Sequence, residues 1–247
     1  MRILLIGYGK MGKAIEAIAQ SRVHQVVGKI SKTNLAELEH INPQDVDVAI
    51  EFTEPDSAFQ NIKFCLERGI PVVSGTTGWL DKREEIEQLC REKDGTFLYA
   101  SNFSIGVNLF FKLNQYLAKI MNKHPQYDVR IEETHHAGKK DAPSGTAIKL
   151  AEDIIEGLDR KKKWKSQPFE ERTVIGQPME QTDLAISSVR ESEVPGTHTV
   201  SYLFSEDTIS IQHVAHSRMG FALGALTAAE WLGNRKGVFS MEDVLEL

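Results

Sequence analysis

The chain has 247 residues, of which 41% are hydrophobic and 26% charged, and its formal net charge is −6. This balance is typical of a globular protein, and the negative charge argues against a nucleic-acid partner, because phosphate backbones attract basic surfaces. No apolar run approaches the roughly 20 residues that cross a bilayer, and the apolar stretch at 3–6 is too short for the core of a signal peptide. We therefore expect a cytoplasmic protein with no membrane partner.

Cysteines and basic runs give no sign of a metal or a disulfide framework. Cys65 and Cys90 are far apart and lack metal-ligand spacing, so we expect both to be structural and expect no metal. The basic run at 160–165 is short and is interrupted by Trp164. Its pattern predicts a solvated loop.

Strand and helix patterns alternate over the first hundred residues. A continuous apolar run ending at Gly7 predicts a buried strand over 2–7, and Met11, Ile15 and Ile18 at helical spacing predict a helix over 10–21. Further strands are predicted at 25–30, 46–52, 71–74 and 96–100, with helices beginning near 55 and covering 81–93. Such alternation builds a parallel sheet with helices on both faces.

After about residue 103 the pattern changes. A long helix is predicted over 106–121, a strand over 127–134, a helix from about 144, strands at 182–190, 196–204 and 208–215, and a last helix over 219–232. Alternating apolar residues at 208–212 indicate antiparallel pairing with one covered face. The predicted fold class is therefore α/β: a Rossmann-type parallel-sheet domain plus a second α+β domain with a mixed or antiparallel sheet.

Three glycines near the amino end have the spacing of a dinucleotide-binding loop. Gly7, Gly9 and Gly12 form Gly-x-Gly-x-x-Gly between a predicted strand and a predicted helix. Glycines there permit a tight turn and let the amides of the helix start approach a pyrophosphate. The intervening candidates are Tyr8, Lys10 and Met11, and an ordinary tight turn is the alternative.

The end of the second strand bears on the choice of cofactor. An acidic residue that holds the ribose of NAD is usual there, but this sequence has Lys29, Ser31 and Lys32. These residues could surround a 2′-phosphate, which favours NADPH over NADH. A solvated lysine-rich loop is the alternative.

Two polar turns follow later strands of the same predicted sheet. Ligands of open parallel sheets bind outside the carboxyl ends of the strands, so both turns are candidates for the nicotinamide half of a cofactor, although either could be an ordinary loop. The candidates are Gly75, Thr76 and Thr77 in the first turn, and Ser101, Asn102, Phe103 and Ser104 in the second.

The densest group of reactive side chains lies at 133–146. His135, His136 and Lys139 precede a predicted helix start at Ser-Gly-Thr. A histidine can deliver a proton near neutral pH, while a lysine and the amides of a helix start bind carboxylate. A surface histidine pair and a solvated lysine turn are the alternatives.

The run His-His-x-x-Lys-x-Asp-Ala-Pro-Ser-Gly-Thr at 135–146 resembles the signature of the dihydrodipicolinate reductase family. The similarity continues, in the family's order, through the glycine-rich loop and the segments 75–78, 102–108, 196–198 and 217–218. The first loop is one residue shorter than the common form, and Lys10 stands where arginine is usual. The sequence also lacks the family's acidic-then-basic pair after the second strand, where residues 29–32 stand, and both departures, in the loop and after the strand, concern the cofactor.

The resemblance implies a reductase that uses NADPH or NADH on 4-hydroxy-tetrahydrodipicolinate, a small dicarboxylate, in lysine and diaminopimelate biosynthesis. His135 matches the family's proton donor and Lys139 its catalytic lysine. The resemblance further implies a dinucleotide-binding domain at 1–103, completed by 216–247. It also implies a domain at 104–215 that binds substrate and forms a homotetramer. The residues expected to bind the substrate carboxylates are His136, Ser144, Gly145 and Thr146.

Two other function classes remain open. The same glycine-rich start occurs in dehydrogenases that act on amino acids such as aspartate. A homologue that senses nucleotides without catalysis is the non-enzymatic alternative. The proton donor, lysine and Ser-Gly-Thr turn argue against it, because a sensor has no need of them.

Overall fold

The computed structural model describes residues 1–167, 181–191 and 193–247, which form two compact units. Unit 1 comprises Met1–Asn108 and Arg218–Leu247, and unit 2 comprises Leu109–Ser217. Both ends of the chain therefore belong to unit 1. Within the described ranges, the structure contains no helix of the length and apolar character that a membrane crossing requires.

Strands and helices alternate through most of the chain. The strands are β1 (Arg2–Ile6), β2 (Gln25–Ile30), β3 (Val48–Glu51), β4 (Val72–Ser74), β5 (Thr96–Tyr99), β6 (Asp128–His136), β7 (Lys163–Gln167), β8 (Asp183–Glu191), β9 (Gly196–Leu203), β10 (Thr208–Ala215) and β11 (Gly237–Phe239). The helices are α1 (Lys10–Ser21), α2 (Pro55–Glu67), α3 (Arg83–Glu92), α4 (Ile105–Met121), α5 (Gly145–Gly157), α6 (Met219–Leu232) and α7 (Met241–Leu245).

Unit 1 contains a six-stranded sheet in the order β11-β5-β4-β3-β1-β2, and every neighbouring pair is parallel. The apolar run of β1 is buried on both faces. Ile3 and Leu5 belong to the core under α1 and α6, whereas Leu4 and Ile6 belong to the core under α2 and α3. This two-sided burial explains why the run reads as continuously apolar. The predicted Rossmann-type sheet is confirmed.

Unit 2 contains a five-stranded sheet in the order β10-β9-β6-β8-β7. β9 is antiparallel to both of its neighbours, whereas β6 pairs with β8 and β8 with β7 in parallel, so the sheet is mixed. Its core includes Ile131 of β6 and Tyr202 of β9 together with Phe110 of α4 and Leu150 of α5. The predicted second α+β part is confirmed.

Several local predictions differ from the structure. The prediction of a solvated loop at 160–165 is wrong, because residues from Lys163 onward form β7 alongside β8. Lys161 is buried, and its ammonium group donates to the carbonyl of Asp183 at 2.7 Å. β3 ends at Glu51, short of the predicted residue 52, and β6 continues two residues past the predicted end at 134. Cys65 and Cys90 are buried free thiols.

Candidate active site

The glycine loop of unit 1 is shaped by close backbone contacts. Gly7 has φ +97°, and a Cβ on it would lie 1.9 Å from the carbonyl oxygen of Phe52. A Cβ on Gly12 would lie 2.3 Å from the carbonyl oxygen of Gly7, whereas a Cβ on Gly9 would meet no atom within 4 Å. Gly7 and Gly12 thus permit tight packing, and Gly9 leaves open space.

The start of α1 has the form that an anion requires. Among the described residues no side chain caps this helix, and its first turn contains no acidic residue. Its first backbone amides and the positive end of the helix dipole are therefore suited to a phosphate group. The loop fits the pyrophosphate of a dinucleotide cofactor. Tyr8, Lys10 and Met11 occupy the turn and the first helical positions.

Glu51 holds the neighbouring loops and was not anticipated from the sequence. Its side chain is fully buried at the end of β3 and accepts hydrogen bonds from the hydroxyls of Ser74 (2.6 Å) and Thr76 (2.8 Å). It also accepts from the backbone N–H of Thr53 at 3.0 Å and from the hydroxyl of that residue. One carboxylate thereby ties the ends of β3 and β4 to the polar turn at 75–78. The sequence did offer a sign of this role: a glutamate in an otherwise apolar strand needs buried hydrogen-bond donors around it.

Phe52 joins the three loops expected to bind the cofactor. Its carbonyl packs against Gly7, and a Cβ on Gly75 would lie 2.1 Å from its ring. The rings of Phe52 and Phe103 lie 5.6 Å apart. The glycine loop, the turn containing Thr76 and Thr77, and the segment 101–104 therefore meet at one edge of the sheet, where β1, β3, β4 and β5 end.

The segment 101–104 is held by side-chain amides. Asn102 accepts a hydrogen bond from the backbone N–H of Ser104 at 2.9 Å, and Asn108 donates to the carbonyl of Asn102 at 3.0 Å. Phe103 is buried, while Ser101 is exposed. This segment forms an ordered turn before α4.

The residues expected around a 2′-phosphate are already in polar contacts. The ammonium of Lys29 lies 2.5 Å from the carboxylate of Glu16, which lowers the pKa of Glu16; this carboxylate also accepts from the hydroxyl of Tyr8. Lys32 pairs with Glu54 at 2.6 Å. The hydroxyl of Ser31 donates to the side chain of Asn34 at 2.9 Å.

In unit 2, β6 separates the two adjacent histidines. Burial alternates along this strand, so His135 lies on the same buried face as Glu133, whereas His136 lies on the opposite face. His135 is 8% exposed. The structure therefore does not bring the two imidazoles together.

Glu133 is the centre of a buried polar cluster. Its Oε1 accepts from the backbone N–H of Ser144 (3.0 Å), the hydroxyl of Ser188 (2.8 Å) and the guanidinium of Arg190 (3.1 Å). Its Oε2 lies 3.4 Å from Nδ1 of His135 and 3.6 Å from Nε2 of His198. Burial alone would raise the pKa of Glu133, but the interaction with His198 and the hydrogen bonds from Ser144 and Ser188 hold it well below its usual range.

The same cluster keeps His135 neutral near pH 7. Burial lowers the pKa of His135 to about 4, and repulsion from His198 adds to the effect. The two rings meet edge to face with their centroids 5.0 Å apart. His198 also lies within hydrogen-bonding distance of the Ser144 hydroxyl, at 3.1 Å.

The helix start at Ser144 combines structural contacts with open space. The hydroxyl of Ser144 caps α5 by accepting from the N–H of Ala147 at 3.2 Å. A Cβ on Gly145 would meet no atom within 4 Å, and Thr146 is partly exposed. The ammonium of Lys139 lies 2.8 Å from both carboxylate oxygens of Asp141.

Four members of the cluster had no role in the sequence-based expectations: Glu133, Ser188, Arg190 and His198. Glu133 could have been found, because residues two apart on a strand share a face and it stands two before His135. Arg190 gave no such signal, because its contact with Glu133 depends on the parallel pairing of β6 and β8.

The cluster around Glu133 also has the composition of a possible metal site. Glu133, His135 and His198 are buried, and each offers one ligand atom, all within 4.8 Å of one another. Zinc binds such donor sets. However, the Arg190 guanidinium already compensates the carboxylate at 3.1 Å, which disfavours a dication there. The absence of a metal stays a prediction.

Comparisons with known proteins give one consistent result. Family models described as "Dihydrodipicolinate reductase, N-terminus" and "Dihydrodipicolinate reductase, C-terminus" match residues 1–103 and 106–245. A protein from Christiangramia forsetii named 4-hydroxy-tetrahydrodipicolinate reductase is 48% identical over 245 residues, covering 99% of this chain and 98% of the relative.

Solved structures extend the likeness in fold. The dipicolinate-bound dihydrodipicolinate reductase from Paenisporosarcina sp. TG-14 is 24% identical with a TM-score of 0.77, covering 98% of this chain and 99% of that chain. An amine dehydrogenase from Mycobacterium smegmatis is 11% identical with a TM-score of 0.57, covering 96% and 94%. At these identities the likeness concerns the fold alone. By its family models and its 48% identical relative, this chain belongs to the dihydrodipicolinate reductase family.

Proposed function

We propose that the chain reduces 4-hydroxy-tetrahydrodipicolinate, by way of dihydrodipicolinate, to tetrahydrodipicolinate in lysine and diaminopimelate biosynthesis, and that it works in the cytoplasm. The observation that carries the proposal is the buried imidazole of His135, which faces the carboxylate of Glu133 beside the start of α5. A proton donor next to a carboxylate-binding helix start suits a dicarboxylate substrate.

The two units divide the work. Unit 1 is the dinucleotide-binding domain, and its Gly7–Gly12 loop fits a pyrophosphate. Unit 2 is the domain that binds substrate and carries the proton donor. The boundary between the two family models, at 103–106, supports the first division of the chain, and the compact unit that contains both chain ends supports the second.

Loss of one water from the hydroxylated substrate gives dihydrodipicolinate, and the reduction then adds a hydride and a proton across a double bond of its ring. The electrophilic ring carbon would receive the hydride from a nicotinamide cofactor bound at the Gly7–Gly12 loop. His135 gives the proton to the neighbouring carbon, and the negative charge of the bound dicarboxylate raises the pKa of this imidazole so that it can carry that proton. His136, Lys139 and the amides around Gly145 and Thr146 hold the carboxylates. To do so, the ammonium of Lys139 exchanges its contact with Asp141 for a substrate carboxylate.

NADPH is the proposed cofactor, with NADH as the alternative. Lys29, Ser31 and Lys32 lie at or just after the end of β2, at the position where the adenosine ribose of a dinucleotide binds in this type of fold. Both lysines are paired with carboxylates, so a 2′-phosphate must compete with Glu16 and Glu54. We therefore expect a modest preference for NADPH rather than exclusive use.

A homotetramer assembled through unit 2 is the proposed state in solution. Four large apolar side chains of α4 are exposed at helical spacing, and two of β10 are exposed at the edge of the sheet. Exposed apolar stripes of this kind mark contacts between protein copies. The side chains are Leu109, Leu113, Tyr116 and Ile120 of α4 and Ile209 and Val214 of β10.

The test follows nicotinamide absorbance with the product of dihydrodipicolinate synthase as substrate, comparing NADPH with NADH. We expect turnover with both cofactors and inhibition by pyridine-2,6-dicarboxylate. Aspartate or diaminopentanoate with NAD should give no turnover. Turnover of either amino acid would instead support an amino-acid dehydrogenase, and nucleotide binding without any turnover would support a sensor.

A further inference from the structure

We propose that Glu133 is the positioning residue of the proton donor: its carboxylate faces Nδ1 of His135, so that the proton given to the substrate leaves from Nε2. The inference rests on the proposed function for the direction of the proton. The contact between the two side chains is observed in the structure and does not depend on the proposed function.

The first support is the rigidity of Glu133. Its side chain is fully buried, and three donors from α5 and β8 hold Oε1. Oε2 is therefore fixed facing two imidazoles: that of His135, which stands two residues along the same face of β6, and that of His198 at 3.6 Å. Nε2 of His198 is also 3.1 Å from the Ser144 hydroxyl, which leaves His135 as the imidazole that Oε2 can orient. A carboxylate held in this way does not need to reorganise during a reaction.

The second support is that two unpartnered atoms face each other. Within the described part of the chain, neither Oε2 of Glu133 nor Nδ1 of His135 has a hydrogen-bond partner, and 3.4 Å separates them. Buried polar atoms are rarely left without a partner. Moving the two groups together by about half an ångström, with a proton on Nδ1, would satisfy both.

The opposite side of the imidazole is kept clear by a glycine. A Cβ on Gly196, at the start of β9, would lie 3.1 Å from Nε2 and 3.2 Å from Cδ2 of His135. A side chain at 196 would crowd the atom that we assign to proton transfer. Glycine at this position keeps any side chain of residue 196 away from Nε2.

The chemistry follows the logic of a carboxylate–histidine pair. With substrate bound, His135 is doubly protonated, with Nδ1–H directed at Glu133 and Nε2–H directed at the ring. As the ring double bond accepts the hydride on one carbon, the neighbouring carbon takes the proton from Nε2 and forms a C–H bond. His135 is left neutral with its remaining proton on Nδ1, and solvent restores the other proton.

Glu133→Gln gives a sharp test because of the three donors at Oε1. Three donors point at the position of Oε1, so the carbonyl oxygen of the new glutamine side chain must lie there. The NH2 group of the glutamine then takes the position of Oε2 and faces Nδ1 of His135. A donor in that position forces the neutral imidazole to carry its proton on Nε2. Nitrogen-15 NMR of His135 should therefore show the Nδ1–H tautomer in the wild type and the Nε2–H tautomer in the variant.

The kinetic readout separates positioning from folding. Glu133→Gln should lower kcat at least about tenfold at neutral pH, because the positive imidazole loses its carboxylate. It should also move the alkaline limb of kcat to lower pH and leave the KM for NADPH unchanged. Ser201→Ala is the matched control, because Ser201 lies in β9 of the same sheet and its hydroxyl pairs with that of Ser210 rather than with the cluster around Glu133, and its kcat should change less than about threefold.

Three results would overturn the proposal. The first is an Nε2–H tautomer in the wild type, which can be read even if Glu133→Gln does not fold. The second is an unchanged kcat and pH limb in a folded variant. The third is loss of activity on treatment with EDTA and recovery with Zn²⁺, which would make Glu133, His135 and His198 a metal site. Absence of reductase activity in the wild type would refute the proposed function but leave the tautomer measurement valid.

Discussion

The environment of His135 makes acid stability an informative property of this protein. Glu133 of β6, His198 of β9, Arg190 of β8 and Lys139 all act on this imidazole, and burial with repulsion from His198 lowers its pKa from 6.5 to about 4. The folded pKa lies below the unfolded one, so the unfolded chain takes up a proton first as the pH falls. The stability that His135 contributes is complete above the unfolded pKa and is lost as the pH falls towards 4.

The magnitude follows from the shift. The shift in the pKa of His135 from 6.5 to about 4 corresponds to a total stability contribution of roughly 3 kcal/mol. Of this, about 2 kcal/mol should be lost between about pH 7.5 and about pH 5. His135→Gln removes the titrating group. Between about pH 7.5 and about pH 5, the free energy of unfolding should therefore decrease in both proteins, but by about 2 kcal/mol less in the variant than in the wild type.

Urea unfolding at a series of pH values, followed by tryptophan fluorescence, measures both chains in parallel. The comparison isolates His135, because all other titrating groups are common to the two proteins. Equal losses of stability in the wild type and in His135→Gln would refute the reasoning. An NMR titration that placed the midpoint of His135 near 6.5 would refute it as well.

Three further predictions concern the loops and the assembly. Gly7→Ala should weaken NADPH binding at least about tenfold in a fluorescence titration, because its Cβ would meet the carbonyl of Phe52 at 1.9 Å. Glu51→Ala leaves the hydroxyls of Ser74 and Thr76 without their acceptor, so the free energy of unfolding measured in urea should fall by about 3 kcal/mol. In the control Ser57→Ala it should fall by less than about 1 kcal/mol, because Ser57 contacts the Thr53 hydroxyl and not the Glu51 carboxylate. Leu113→Lys should shift a tetramer towards smaller species in analytical ultracentrifugation, and an unchanged assembly would exclude the α4 stripe.

The parallel sheet was predictable because its signals are local. Each strand of unit 1 up to β5 is a short apolar run, and the intervening helices carry their own periodicity. β7 was not predictable in the same way. Its residues, Lys163–Gln167, contain two lysines, and they form a strand because β8 offers them a parallel partner. Pairing of this kind is a tertiary effect that composition does not show.

The candidate site was predictable in its segments but not in its contacts. The glycine spacing located the loop after β1, and the rule for open sheets located the turns after β4 and β5. Glu51 and Phe52, which hold these loops together, were missed because their roles depend on which backbones meet. The opposite facing of His135 and His136 was missed because the strand was expected to end at residue 134.

Whether His135 is the proton donor can be read from the turnover number of His135→Gln, measured at saturating NADPH with the product of dihydrodipicolinate synthase. If it is, turnover should fall about 10²- to 10⁴-fold relative to the wild type, with the affinity for NADPH unchanged. Undiminished turnover in a folded variant would contradict it.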